Sequence, residues 1–200
     1  FQFIKFDNTD VGYMEIEFNN GIPISVDGNQ MQIRDLIHYV NNKAGYYGVG
    51  ITDHIEDRVI GIKSREIYEA PAAICLLESH KDLEKLVLTK HELRFKQIVD
   101  EQWSWLVYSG LWQDPLRSDL DRFIDATQKR VSGKVKLKMH NGSLRVVGRE
   151  SKHSLYKNDL ATYATGSTFD QTHAQGFIEL WGLQTITANS IATTIDNAGE

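Results

Sequence analysis

The chain has 200 residues, close to the size of one domain and long enough to bury a core without disulfides or a structural metal. Its 41% hydrophobic, 10% aromatic and 24% charged residues are those of an ordinary globular protein and exclude a disordered composition. The net charge of −5 excludes a nucleic-acid face built on bulk positive charge, Cys75 alone excludes an intrachain disulfide, and no apolar run reaches the roughly 20 residues of a membrane span.

In chain order, "YMEIEFNNG" sets Met14, Ile16 and Phe18 against Glu15 and Glu17, the period-2 pattern of a half-buried strand. Asn19-Asn20-Gly21 then turns it into a hairpin with "IPISVDG". Ile33, Leu36, Ile37, Val40 and Ala44 follow helical spacing, which predicts a helix over 32–44 stopped by Gly45 in a left-handed conformation. "YYGVGITDHIEDRVIGIKSR" reads as two short strands joined near Glu56 to Arg58, with Val59, Ile60 and Ile62 as the apolar strand segment. Pro71 suits a first helical turn, so "AAICLLESHKDLEKL" is a helix.

A further helix runs from 90 to about 108 with Phe95, Ile98, Val99, Trp105 and Leu106 facing inward and Gly110 as its stop. Ser118 and Asp121 predict another helix start, with Leu120, Phe123, Ile124 and Thr127 on its inner face. "GKVKLKMHNGSLRVVGRES" is a hairpin whose Asn141-Gly142 fits a type I′ turn; pairing His140 with Ser143 sets Met139 opposite Leu144 and Leu137 opposite Val146. Residues 1–12, about 163–173 and the last ten carry little pattern. Interspersed helices with strands joined by tight turns predict an α+β fold with a mixed, largely antiparallel sheet and several packed helices.

The seven histidines show no metal-ligand spacing, and no Walker loop, GxSxG or strand-bound GxGxxG is present; no metal site is expected. Trp103, Trp105, Tyr108 and Trp112 fit a core or a subunit interface better than a stacking site. Lys134, Lys136, Lys138 and Arg145 form a basic hairpin face that a solvated surface accounts for, and Cys75 in "APAAICLL" reads as an inert core residue. "HIEDRVIGIKSREIYE" is the stretch with ligand chemistry. Glu56 can hold an ammonium and the Tyr68 hydroxyl can donate to a carboxylate, a pair suited to an amino-acid ligand, while on local grounds alone salt-bridged loop charges account for the stretch better.

Several segments share one further property. "EIEFNNGIPISVDG", "NNKAGYYGVGITDHIEDRVIGIKSREIYEAP", "LVYSGLW", "FIDATQKRVSGKVKLKMHNGSLRVVGRES", "SLYKNDLATY" and "GFIELWGL" occur in this order over about 14–183. In them the sequence resembles argininosuccinate synthases, specifically their C-terminal synthetase and multimerisation domain. Residues 1–183 are expected to form that domain and 184–200 a tail, disordered or interface-forming. The family's "SGGLDTS"-type pyrophosphate loop has no match, so the N-terminal nucleotide-binding domain is expected to be absent, as is an initiator Met before Phe1.

The resemblance implies part of an ATP-dependent carbon–nitrogen ligase that condenses L-citrulline with L-aspartate to argininosuccinate, AMP and pyrophosphate, in arginine biosynthesis or the urea cycle. ATP, with Mg, would be a co-substrate held mainly by the missing domain, and the isolated chain is expected to be inactive. The Glu of the family's "VEN" and the Tyr of its "SRxIYE", both citrulline contacts, fall on Glu56 and Tyr68. They are positioning groups, and no catalytic residue is expected here. Lys63, Ser64 and Arg65 are expected to shape the pocket in a loop before Pro71. Asp57 and Ile51 stand where the family more often has Asn and Arg. A cytoplasmic homotetramer is expected, with neither nucleic acid nor membrane as partner. The alternative is a separate, non-enzymatic module of the same fold for oligomerisation or amino-acid sensing.

Overall fold

Alternation along β1 (Val11–Asn19) buries Met14, Ile16 and Phe18 on one side and leaves Val11 and Tyr13 exposed on the other. A computed structural model describes residues 2–5, 7–161 and 170–198. Asn20 and Gly21, at φ 50° and 79°, turn β1 into β2 (Ile22–Val26), which pairs in turn with β3 (Asn29–Gln30). On its other edge β1 pairs with β6 (Gly133–His140), and β6 with β7 (Ser143–Glu150), in the order β3-β2-β1-β6-β7 with every pairing antiparallel. The expected α+β class is what the chain forms.

The β6–β7 hairpin has the predicted turn and register: Asn141 and Gly142 sit at φ 46° and 78°, and Met139 faces Leu144 and Leu137 faces Val146. The inner face of the sheet, with Met14, Ile16, Val26, Val135, Leu137 and Met139 buried, is covered by two helices. These are α1 (Ile33–Tyr46), through Leu36, Val40 and Ala44, and α2 (Pro71–Val87), through Ala72, Cys75, Leu83 and Val87. Each Val, Leu, Ile or Met side chain among them removed from water contributes roughly 1.5–3 kcal/mol. Burial pushes the Cys75 thiol up to about 12, which leaves it an uncharged core residue at neutral pH.

Three helix details differ from expectation. Helix α1 runs through Gly45 to Tyr46, and the left-handed position is Gly48 at φ 77°. Gly45 serves a packing need: a Cβ there would lie 2.6 Å from the Phe3 carbonyl oxygen. Helix α3 (Lys90–Tyr108) opens on a capping box, Thr89 accepting from the Glu92 amide at 3.2 Å and Glu92 accepting from the Thr89 amide at 2.9 Å. Its buried residues are Lys96, Val99 and Leu106, while Phe95, Ile98 and Trp105 are exposed. Lys96 goes inside because Glu84 and Asp100 pair with it at 3.2 and 2.6 Å. Helix α4 (Pro115–Gln128) starts ahead of Ser118, since Asp114 caps the Leu116 amide at 2.9 Å and Pro115 fits the first turn.

The chain divides into two compact units after Leu155. The second holds α5 (Asn158–Ala161), α6 (His173–Trp181) and α7 (Leu183–Ala198), so residues 184–198 of the expected tail lie in a helix, and 199–200 lie outside the described residues. Of the weakly patterned stretch near 163–173, residues 163–169 lie outside the described residues. Phe177, Ile178, Trp181, Ile186, Ile191 and Ile195 are all more than half exposed. Among the described residues no helix is long and apolar enough to cross a membrane.

Candidate functional site

The ligand-type stretch folds as a separate two-stranded hairpin. Strands β4 (Ile51–Asp57) and β5 (Lys63–Glu69) pair in the register Thr52↔Tyr68, His54↔Glu66 and Glu56↔Ser64. The loop is Arg58–Ile62: the Arg58 amide donates to the Ile62 carbonyl at 2.9 Å, the Gly61 amide to the Arg58 carbonyl at 2.7 Å, and Gly61 takes φ 83°. The turn thus comes later than the Glu56–Arg58 expected from sequence. Val59, Ile60 and Ile62 are exposed loop residues rather than a strand segment, and Lys63, Ser64 and Arg65 lie in β5 rather than in a loop.

Because side chains alternate across a strand, Thr52, His54, Glu56, Ser64, Glu66 and Tyr68 share one face. There the Tyr68 hydroxyl donates to Glu56 Oε2 at 3.1 Å, and His54 Nε2 lies 3.4 Å from the same oxygen. The His54 and Tyr68 rings sit 5.5 Å apart. Arg58 donates to the Ser64 hydroxyl at 3.4 Å and lies 3.5 Å from Glu66. Desolvation first, and then the hydrogen bond to Glu56, raise the Tyr68 pKa above 10.0, so the hydroxyl keeps its proton at neutral pH. Tyr68 is 44% exposed, and Glu56 Oε1 has no partner among the described residues, so the pair is open to a ligand.

Lys63 and Arg65 point to the opposite face. Arg65 grips Asp53 with two hydrogen bonds, at 2.8 and 2.5 Å, which holds the Asp53 carboxyl below its ordinary value; Lys63 pairs with Asp57 at 2.8 Å. That face neutralises its own charges. Of the three residues expected to shape a pocket, only Ser64 lies beside Glu56 and Tyr68. Sequence reading also missed His54, Glu66 and Arg58 as members of this face; the polar residues at even positions of "ITDHIED" and "KSREIYE" carried a period-2 signal for the first two, and Arg58 in the loop had none.

Two concavities lie elsewhere. One of about 430 Å³ is lined by Glu17, Phe18, Lys134 and Ser151, and one of about 720 Å³ by Ile98, Trp105 and Tyr108; Glu56 and Tyr68 line neither. No three carboxylate, imidazole or thiol groups converge as metal ligands among the described residues. What distinguishes the hairpin face is its chemistry: a carboxylate with one oxygen unpartnered among the described residues, held by a protonated phenol.

Comparison with known proteins places this hairpin in a family. A family model described as the arginosuccinate synthase C-terminal domain matches residues 4–188. The chain belongs to the argininosuccinate synthase family. It is 54% identical over 176 residues to the argininosuccinate synthase of Pyrococcus furiosus, covering 88% of this chain and 43% of that protein. The argininosuccinate synthase of Dehalococcoides mccartyi is 52% identical over 172 residues, 86% of this chain and 42% of its own length. That of Dictyoglomus turgidum is 49% identical over 180 residues, 90% of this chain and 45% of its own. The chain therefore spans less than half the length of these curated argininosuccinate synthases, and its match is to their C-terminal domain.

Proposed function

We propose that this chain is the part of an argininosuccinate synthase that holds L-citrulline by its amino-acid end and joins the subunits of the enzyme. The observation that carries the reading is the 3.1 Å contact between Tyr68 and Glu56 on an open hairpin face, at the two positions the family motif assigns to citrulline. The Glu56 carboxylate takes the α-ammonium of citrulline through Oε1, a charge-assisted contact. The Tyr68 hydroxyl fixes the carboxylate of Glu56 and reaches the same end of the substrate. Ser64, beside them, completes the polar wall.

In this reading the hairpin supplies placement. The ureido oxygen of citrulline attacks the α-phosphate of ATP and pyrophosphate leaves; the amine of L-aspartate then attacks the ureido carbon and AMP leaves. Both steps gain from a substrate held at one end, since orientation removes much of the entropic part of a bimolecular barrier. In this reading ATP and most of the contacts to aspartate fall to residues outside this chain. Mg, in the same reading, would come with ATP and be held mainly outside this chain. The chain alone has one wall of the pocket and forms no AMP.

Exposed apolar side chains along α6 and α7, Trp181 and Ile186 among them, support self-association, with a homotetramer in the cytoplasm as the form proposed. Steady-state kinetics on the full-length protein test the site: Glu56→Ala raises the citrulline KM and Tyr68→Phe raises it less, with the ATP KM unchanged. Citrulline kinetics unmoved by both, in folded variants, would place the site elsewhere. Micromolar citrulline binding by the 200 residues alone would favour a sensing module.

A further inference from the structure

The hairpin that carries Glu56 and Tyr68 is thinly supported. Its strands pack mainly on each other, and Ile51, Ile55, Val59, Ile60, Ile62 and Ile67 are exposed. Its orientation is therefore set by a few polar ties. At the tip, the Tyr108 hydroxyl of α3 donates to the Asp57 carbonyl at 2.8 Å. At the base, the Ala70 amide donates to the Gly50 carbonyl at 2.8 Å, and the Ala72 amide to Asn41 Oδ1 at 2.8 Å.

The strongest tie is Glu69, the last residue of β5. Its Oε1 accepts from the amides of Phe3 and Ile4 at 2.6 and 2.7 Å, and its Oε2 from the amide of Gln2 at 2.7 Å. Three consecutive backbone donors thus converge on one carboxylate more than sixty positions away in sequence. Such charge-assisted bonds are about twice as strong as neutral ones. Desolvation works to raise the Glu69 pKa, and the three amides outweigh it and hold the group below 4.5, so it is ionised whenever the protein is near neutrality.

The segment it grips, residues 2–5, is itself seated like a strap on the end of α1. The Lys5 amide donates to the Gly45 carbonyl at 2.9 Å, Asn8 donates to the Tyr46 carbonyl at 2.7 Å, and Ile4 is buried. The absence of a side chain at Gly45 is what lets the Phe3 backbone lie so close, which explains why a glycine sits inside α1. Since neighbouring strand residues point to opposite faces, drawing Glu69 toward the strap fixes the backbone from which Tyr68 projects the other way.

We propose that Glu69 is a positioning residue for citrulline: by clasping the strap to the end of β5 it sets where Tyr68 and its partner Glu56 stand. The inference rests on the citrulline reading of the hairpin, and the test separates the two. In the full-length protein, Glu69→Ala, which removes the clasp, and Gly45→Ala, which displaces the strap from its other side, each raise the citrulline KM on the order of tenfold with the ATP KM and kcat unchanged. Glu69→Gln, which keeps one acceptor, restores part of the loss and stands in if the alanine variant fails to fold. By hydrogen exchange, the amides of residues 2–4 lose protection in Glu69→Ala and part of it in Glu69→Gln.

A lowered melting temperature with an unchanged citrulline KM in both clasp variants, while Glu56→Ala still raises it, would reduce the clasp to a structural brace and overturn the proposal. Unchanged exchange at residues 2–4 would remove the clasp itself. Silence of Glu56→Ala and Tyr68→Phe as well would sink the citrulline reading, and this inference with it.

Discussion

The five-stranded sheet and the β4–β5 hairpin use the same antiparallel pairing and are held by different forces. The sheet hides one whole face: Ile16, Val135, Leu137 and Met139 are fully buried under α1 and α2. The hairpin hides neither. One of its faces is a ladder of self-neutralised ion pairs, and the other carries Glu56 and Tyr68 in the open. Stability and the proposed ligand chemistry thus occupy separate strands here, so each is expected to be disturbed with little effect on the other.

The largest expected effect is on the sheet. Leu137→Ala removes a fully buried side chain and leaves a cavity, at a cost of about 2–5 kcal/mol in denaturant unfolding. Its citrulline dependence, in whatever fraction stays folded, is unchanged. Next comes the hairpin: Glu56→Ala raises the citrulline requirement of the full-length protein roughly tenfold or more, the equivalent of about 1.5–3 kcal/mol, with an unfolding midpoint close to that of the parent. A large fall in stability from this variant would erase the distinction between the two regions.

Smaller still is the α3 cap. Thr89→Ala costs about 1 kcal/mol and leaves citrulline untouched. Glu92, held below 4.5 first by the Thr89 amide and then by Arg130, adds stability that is present above that ordinary value and fades as pH falls through the lowered one. The stability gap between the parent and Glu92→Gln therefore narrows in acid, which a pH series of thermal melts reads directly. The smallest effect belongs to Arg65→Ala: its ion pair is exposed, so neither the melting temperature nor the citrulline KM moves measurably. A citrulline effect there as large as that of Glu56→Ala would mean that the substrate meets the other face.

How much of this was legible in the sequence follows the same division. The β6–β7 hairpin was readable down to its register, because Asn141-Gly142 and the alternation of Leu137 and Met139 with lysines point to one answer. Gly45 misled because its reason is tertiary, the passage of Phe3, and local sequence offers only the helix-stop reading. Ser118 with Asp121 reads as the helix start on local spacing alone, which passes over Asp114, whose side chain caps the helix four residues earlier with Pro115 in its first turn. The inward face of α3 was misread because its apolar residues surround more than one side and the buried Lys96 looks like a surface residue until Glu84 and Asp100 are in place. Val59, Ile60 and Ile62 resemble a strand core by hydropathy alone.

Of the site, Glu56 and Tyr68 emerged from the family resemblance, since local physics favoured a salted turn over a ligand pair. Their contact required the register, which brings a residue opposite Ser64 to one opposite Thr52 along a single face. The same register excluded Lys63 and Arg65 from that face and admitted His54 and Glu66. Glu69, by contrast, was unreadable, because its partners are backbone amides at the far end of the chain.

The central claim is that the open face of the hairpin holds the amino-acid end of citrulline through the charge on Glu56. Calorimetric titration of citrulline into the full-length protein and its Glu56→Gln variant tests this most directly, because the substitution removes the charge and keeps the shape. The account predicts binding weaker by on the order of tenfold or more with an unchanged melting temperature. Equal affinity in the two proteins would contradict it.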